Sequence, residues 1–244
     1  VSQMRTYLTY GIYAPIGSMG AVAVASKRVG WDRPARSAML GMIGAALGIE
    51  RDDENAIQTL EQETGLAMLI VRPGTPFEDF HTTQVPSGKG NWRTRAEELA
   101  AVKGKDNPIV SWREYRSDVA LLATVWHRTD TPRFPLVRIA EALEHPHFVL
   151  YLGRKACPLG LPLAPRIVEA ETPIAALMNR RDTGPERKFF KKERPSRAPQ
   201  PYIVLDVSDA PEGEAARIEF RSDRLASRKR WQFLPRGEAI IPLV

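Results

Sequence analysis

Three side chains in the first half of the chain, His81, Lys89 and Tyr115, have the types needed for metal-independent cleavage of RNA. A general base and a general acid can activate a 2′-hydroxyl and protonate the leaving oxygen, and a cation can stabilise the charge of the transition state. Spacing alone does not bring the three together. The stretch that carries them, Phe80 to Tyr115, has a second reading. Phe80-His81-Thr82-Thr83, Lys89 to Arg95 and Trp112-Arg113-Glu114-Tyr115 interleave aromatics, cations and hydroxyls. That mixture suits stacking on bases while neutralising phosphates. It also suits an exposed hairpin with a solvated charged face.

Other chemistry finds less support. His145 and His147 flank Pro146 with no third ligand nearby, and Cys157 is the single cysteine. Neither a zinc site nor an internal disulfide is therefore expected. No serine lies in a nucleophile-elbow pattern. The expectation is a chain without cofactor or metal.

The elements that would position these residues follow from periodicity. Arg5 to Tyr13 is rich in tyrosine and β-branched residues and is bounded by Pro15 and Gly17, which predicts a first strand. After a loop in which Ser26-Lys27-Arg28 and Trp31 could face an anion, Met39, Leu40, Ile43 and Leu47 recur at helical spacing. Ser37 is expected to cap this helix and Gly48 to end it. Arg33 and Arg36 beside its N-terminus would make a phosphate site, because free backbone N–H groups add to guanidinium charge. They could equally be solvated, with Ser37 doing no more than capping. Asp52-Asp53 opens a second helix. Leu66 to Val71 and Asp118 to Trp126 read as strands, and residues 134–143 as a helix. Residues 95–102 are helical or a connection, and Phe148 to Leu152 reads as the next strand, leading into Gly153-Arg154-Lys155.

The resulting order is close to a βαββαβ, ferredoxin-like unit, the topology of RNA-recognition domains, although its aromatic ribonucleoprotein motif is absent. The fold class expected is α+β: a ferredoxin-like (RRM-like) N-terminal domain over residues 1–160, with an inserted hairpin at about 77–115. Residues 161–244, with rising proline density and short strands, would form a small β-rich C-terminal lobe.

The run from Arg187-Lys188 to Arg197 carries six cations against one acid, and Arg221, Arg224, Arg228, Lys229 and Arg230 make a second cluster. With a formal net charge of +6 and a pI near 9.6, they favour a nucleic-acid partner. A solvated loop would account for either run alone. There is no apolar run of membrane-spanning length and no cleavable leader pattern, so no membrane partner is expected and a cytoplasmic location fits.

Several strings in order then become familiar. They are Arg33-Pro34-Ala35-Arg36-Ser37 with Leu40-Gly41, Ala46 to Asp53, Asp79-Phe80-His81-Thr82, Trp112-Arg113-Glu114-Tyr115 with Asp118, Tyr151 to Pro158, and Ala226-Ser227-Arg228. Together they resemble the CasD-type subunits of type I-E CRISPR Cascade complexes, in the repeat-associated RNA-binding superfamily. The resemblance covers about Met4 to Phe233. It departs at Ala14 to Gly20, where the family's glutamine and tryptophan are missing.

The resemblance makes the inserted hairpin at about 77–115 a β-hairpin thumb, and it implies a non-catalytic subunit that caps the 5′ handle of CRISPR RNA and contacts the backbone and large subunits for antiviral surveillance. Carried onto this chain together with the basic clusters, it makes Arg33, Arg36, Ser37, His81, Thr82, Trp112, Arg113, Tyr115, Arg154, Lys155, Arg187 and Lys188 the expected RNA contacts. A related subtype uses its version as the nuclease that processes the precursor, which keeps His81, Lys89 and Tyr115 in view as the alternative.

Overall fold

The computed structural model describes residues 4–21, 25–83, 90–102, 108–191 and 199–243. In chain order these form β1 (Arg5–Gly17), β2 (Lys27–Arg28), α1 (Arg36–Ala46), α2 (Glu54–Glu63), β3 (Thr64–Arg72), β4 (Thr75–Thr83), α3 (Arg95–Val102) and β5 (Ile109–His127). They continue with α4 (Leu136–Glu144), β6 (Arg166–Ala170), α5 (Pro173–Thr183), α6 (Arg187–Phe190), β7 (Tyr202–Asp206), β8 (Arg217–Ser227) and β9 (Gln232–Pro242).

One sheet runs through the molecule in the order β6-β1-β5-β3-β7-β9-β8, every neighbouring pair antiparallel. Its central strands are near-continuous apolar runs because both faces are covered. Leu8, Tyr10, Ile12, Met68, Leu121 and Val125 pack under α1, α2 and α4, against Met39, Ile43, Leu60 and Ile139. Their alternates Tyr7, Leu69, Leu122 and Trp126 pack under α5 and α6, against Leu177 and Phe190. Alternation along each strand thus fills two cores.

The first helix ends as expected. Gly48 has φ +75°, Gly48 N–H donates to Ala45 O and Ile49 N–H to Gly44 O at 2.9 Å, the paired bonds of a Schellman motif. Its start differs. The helix begins at Arg36, its N-cap is Ala35, and Ser37 makes no capping bond. At α2 the expectation holds: Asp53 accepts from Ala56 N–H at 2.9 Å.

Two expected strands also differ. Phe148–Leu152 is not a strand; Tyr151 makes one isolated bridge to Pro158. The strand that pairs with β1 on its outer side is β6, beyond residue 160, in register from Arg5↔Ala170 to Thr9↔Arg166. At the other end, β8 and β9 are each eleven residues long, so Arg221 and Arg224 lie inside a strand instead of in a loop before one.

β5 is nineteen residues long and belongs to two structures at once. Its second half pairs with β1 and β3 in the sheet. Its first half pairs with β4 from Thr83↔Ile109 to Thr75↔Ser117 and rises as a hairpin. The two halves meet at Asp118, whose φ is +59°, two residues before the point where β3 carries one extra residue between Ile70↔Leu121 and Arg72↔Ala120. Asp118 is held there by Arg72, Nε to Oδ2 at 3.1 Å. Of the two readings of residues 95–102, helix or connection, the structure has the helix, α3.

Candidate nucleic-acid interface

The pleat of the hairpin sorts the expected contacts onto two faces. In register, Phe77 faces Tyr115, Asp79 faces Arg113 and His81 faces Ser111, so these six share one side. Phe80 opposite Trp112 and Thr82 opposite Val110 share the other. His81, Arg113 and Tyr115 are therefore brought together, while Thr82 and Trp112 point away from them. Phe80, 53% exposed, leans on Trp112 with ring centroids 5.3 Å apart and forms the aromatic surface of the second face. β2 adds charge, with Lys27 in register with Trp112 and Arg28 with Arg113. Arg113 spends Nε on Ser111 Oγ at 3.1 Å and makes no ion pair with any described carboxylate.

At the base of the first face, Tyr115 OH lies 3.3 Å from His81 Nε2, which is 3.0 Å from Asp79 Oδ2. Tyr115 is buried. Phe77 stacks on it at 5.6 Å between ring centroids, and the Arg154 guanidinium lies 4.6 Å from the ring centre. It is therefore a pedestal for Arg154 instead of a free stacking surface for a base. Nη1 of Arg154 is buried without a hydrogen-bond partner among the described residues. A buried guanidinium N–H in want of an acceptor, held by cation–π contact, is an anion site in waiting. Lys155, next in the chain, is exposed. Lys89 lies outside the described residues, as do residues 192–198 of the basic run.

A turn aims Arg154. Leu152 N–H donates to Cys157 O at 2.9 Å, Cys157 N–H to Arg154 O at 2.8 Å, and Ser18 N–H to Leu152 O at 3.0 Å. Gly153 has φ +88°, and a Cβ on it would sit 1.6 Å from Ser18 O. Backbone approaches backbone there, which only glycine permits.

Arg33 and Arg36 are corrections. Both are buried among carboxylates and neither reaches solvent. Arg33 donates from Nε to Glu238 at 2.6 Å and also bonds Glu219 and Asp32. Arg36 donates from Nε to Glu61 at 2.8 Å and from Nη2 to Thr64 O at 2.6 Å, with Asp206 at 3.6 Å from Nη1. The helix N-terminus is occupied too, since Arg36 N–H donates to Asp223 Oδ2 at 2.9 Å. The anion expected at this helix start is thus supplied by the protein itself, from β8. Asp223 is also held bidentately by Arg236 at 2.8 and 2.9 Å, and Arg236 reaches Asp206 and Glu238 at 2.7 Å. Arg221 sits over Trp31, 4.4 Å from its ring centre. A charge network with partners from residue 32 to 238 therefore ties β7, β8 and β9 to α1 and α2.

Arg187 and Lys188 are exposed on α6, whose Phe190 belongs to the core under the opposite sheet face from Leu152. Arg187 donates to Asp182 O at 2.8 Å. They do not join Arg154. Ser37 lines a cleft of about 430 Å³ with Gly41, Tyr151, Arg154, Arg228 and Trp231. Phe77, Asp79 and, beside Ser37 and Arg154 in this cleft, Tyr151, Arg228 and Trp231 were not among the expected contacts. The alternation Phe77, Asp79, His81 was the signal that could have found the first two.

This combination, an antiparallel sheet with helices on both faces and a hairpin rising from one long strand, places the chain among known proteins. A family model described as CRISPR-associated protein (Cas_Cas5) matches residues 7–229, and the chain belongs to that family. It is 30% identical over 191 residues to the CRISPR system Cascade subunit CasD of Escherichia coli strain K12, covering 74% of this chain and 80% of that one. The fold is shared with a chain of a CRISPR RNA-guided surveillance complex, at a TM-score of 0.58 and 23% identity over 97% of this chain and 89% of that one. It is shared also with a Cas protein crystal structure, at 0.55 and 20% over 97% and 95%.

Proposed function

We propose that the protein is a non-catalytic RNA-binding subunit of a type I-E Cascade complex. It holds the 5′ handle of CRISPR RNA and contacts the backbone and large subunits. The observation that carries this reading is Arg154: a partly buried guanidinium whose Nη1 has no partner among the described residues, on an aromatic pedestal at the foot of the hairpin, in a chain of the Cas5 family. The finer reading of the fold rests on strand order. β6-β1-β5-β3, with α1 and α2 between β1 and β3 and α4 between β5 and β6, is the 4-1-3-2 arrangement of a ferredoxin-like unit, and β4 with the start of β5 is its thumb.

The test is binding of a labelled repeat-handle RNA across a salt series. Arg154→Gln is expected to weaken binding about tenfold, the scale of one charged hydrogen bond. It should also flatten the dependence of log K on log salt by roughly 0.7, one phosphate contact on a single strand. Unchanged affinity and slope would remove Arg154 from the interface.

A second reading has one observation in its favour, the contact of His81 Nε2 with Tyr115 OH at 3.3 Å beside Asp79. Those are acid–base types within proton-transfer reach. Incubation of the protein with repeat RNA in EDTA separates the two. The binding reading expects intact RNA; specific cleavage that disappears in His81→Ala would establish a metal-independent ribonuclease.

A further inference from the structure

We infer that Arg51, Arg228 and Trp231 form a second phosphate seat for the same single-stranded RNA, in a recess continuous with the cleft that takes in Arg154. This rests on the RNA-binding reading above and extends it to the β8–β9 turn. Both guanidiniums lie on one indole, Arg228 at 4.1 Å and Arg51 at 5.1 Å from the Trp231 ring centre. Neither makes an ion pair with a described carboxylate, although Glu50, Asp52 and Glu54 line the same recess of about 520 Å³ with them. Elsewhere in the chain the buried arginines Arg33, Arg36, Arg180 and Arg236 each take a carboxylate, whereas half-buried Arg228 takes none that is described, and Arg51 beside it is exposed. Two like charges gathered on one ring oppose each other. Burial pushes the Arg228 guanidinium below its ordinary value, and the nearby Arg51 charge pushes in the same direction. An anion between them relieves both penalties.

The surroundings select a nucleic-acid strand over a free anion. Arg228 lines the recess and also the 430 Å³ cleft that holds Arg154, so cations at both places open onto connected space. Tyr151, 39% exposed, lines that cleft as well and gives a base or ribose an aromatic surface beside the Arg228 charge. Repeated phosphates with a stackable group between them match this alternation of guanidinium, ring and guanidinium. The indole, 54% exposed, holds the two guanidiniums beside it, leaving their outward N–H groups for phosphate oxygens.

The experiment is fluorescence anisotropy of the full chain with a fluorescein-labelled single-stranded CRISPR repeat RNA between 50 and about 300 mM salt, a range over which counterion release is resolved. The variants are Arg51→Gln/Arg228→Gln, Arg154→Gln and wild type, with thermal unfolding to confirm that each is folded. The double variant is expected to flatten the salt slope by roughly 1.4, two single-strand phosphate contacts at about 0.7 each. It should weaken binding by more than tenfold at the lowest salt. If Arg154→Gln loses its contact while the double variant matches wild type, the second seat is overturned and the hairpin site stands. If wild type binds no RNA, the RNA-binding reading fails and this inference with it. A polyglutamate peptide forms the control arm. Peptide binding that the double variant abolishes, with RNA binding unchanged, would assign these cations to an acidic protein partner and overturn the proposal.

Discussion

Arg36→Met is expected to lower the free energy of unfolding by about 3–5 kcal/mol and to leave the salt slope of RNA binding where it was. The stability figure follows from what the guanidinium leaves behind. Glu61 is buried 2.8 Å from Nε, Asp206 is buried 3.6 Å from Nη1, and Thr64 O loses its donor. Breaking one side of a buried pair is the costly operation, because the remaining charge cannot be hydrated. Urea unfolding measures the loss. Replacing both partners, Arg36→Met/Glu61→Met, should recover part of it, since two apolar side chains strand no charge on each other. A single variant as stable as wild type, with a slope reduced by one contact, would return Arg36 to the RNA interface.

Acid should act on the same network. The Asp206 carboxyl is held below the ordinary carboxylate range: burial pushes it up, but Arg36, Arg236 and Arg128 more than offset that. A carboxylate with a lowered folded pKa contributes stability in full above its unfolded value of about 3.9 and loses it as pH falls through the folded value. Glu61 has the opposite sign, because burial raises its carboxyl in spite of Arg36. Its share of the network becomes less unfavourable as pH falls.

Gly153→Ala is expected to cost roughly 2–5 kcal/mol, combining about 1–2 for a non-glycine residue at positive φ with about 1–3 for overpacking. The new methyl group would overlap Ser18 O, which is backbone and cannot rotate aside. Either the Ser18 N–H to Leu152 O bond opens or the turn carrying Arg154 moves off Tyr115. RNA affinity should therefore fall with stability, toward the level of Arg154→Gln. Gly213→Ala is the control: its φ is +78°, but no atom lies within 4 Å of the added carbon, so only the conformational cost of about 1–2 kcal/mol remains. Equal, small losses from the two substitutions would show that the contact between residues 18 and 153 does not position the arginine.

Some of this molecule could be read without a structure. The helix over Met39–Leu47 and its stop at Gly48, the Asp53 cap, the strand at 118–126 and the helix at 134–143 are local patterns of apolar spacing and terminal residues. Such patterns survive tertiary packing. The proposal of a hairpin between two strands of the sheet had the same basis, whereas the gathering of His81, Arg113 and Tyr115 on one face depends on the β4–β5 register. Other readings failed for an equally physical reason. Phe148–Leu152 has the composition of a strand, yet its apolar side chains Leu150 and Leu152 are drawn into the core under α1 while Val149 stays 76% exposed. The β1 edge is taken by Arg166–Ala170 instead.

The arginines show most clearly where sequence stops. Composition and motif order determined that the chain is basic, that its cations cluster near Arg33, Arg113, Arg154, Arg187 and Arg228, and that it resembles CasD-type proteins. Which cations remain for a ligand was decided only by the tertiary structure. Arg33 and Arg36 meet Glu238 and Glu61 across 205 and 25 residues, whereas the Arg154 guanidinium lies on an aromatic ring and pairs with no described carboxylate. Helical and strand periods report which way a side chain points within its own element. Charge pairing depends on which elements pack together, and that is set by the cooperative burial of two cores on one sheet.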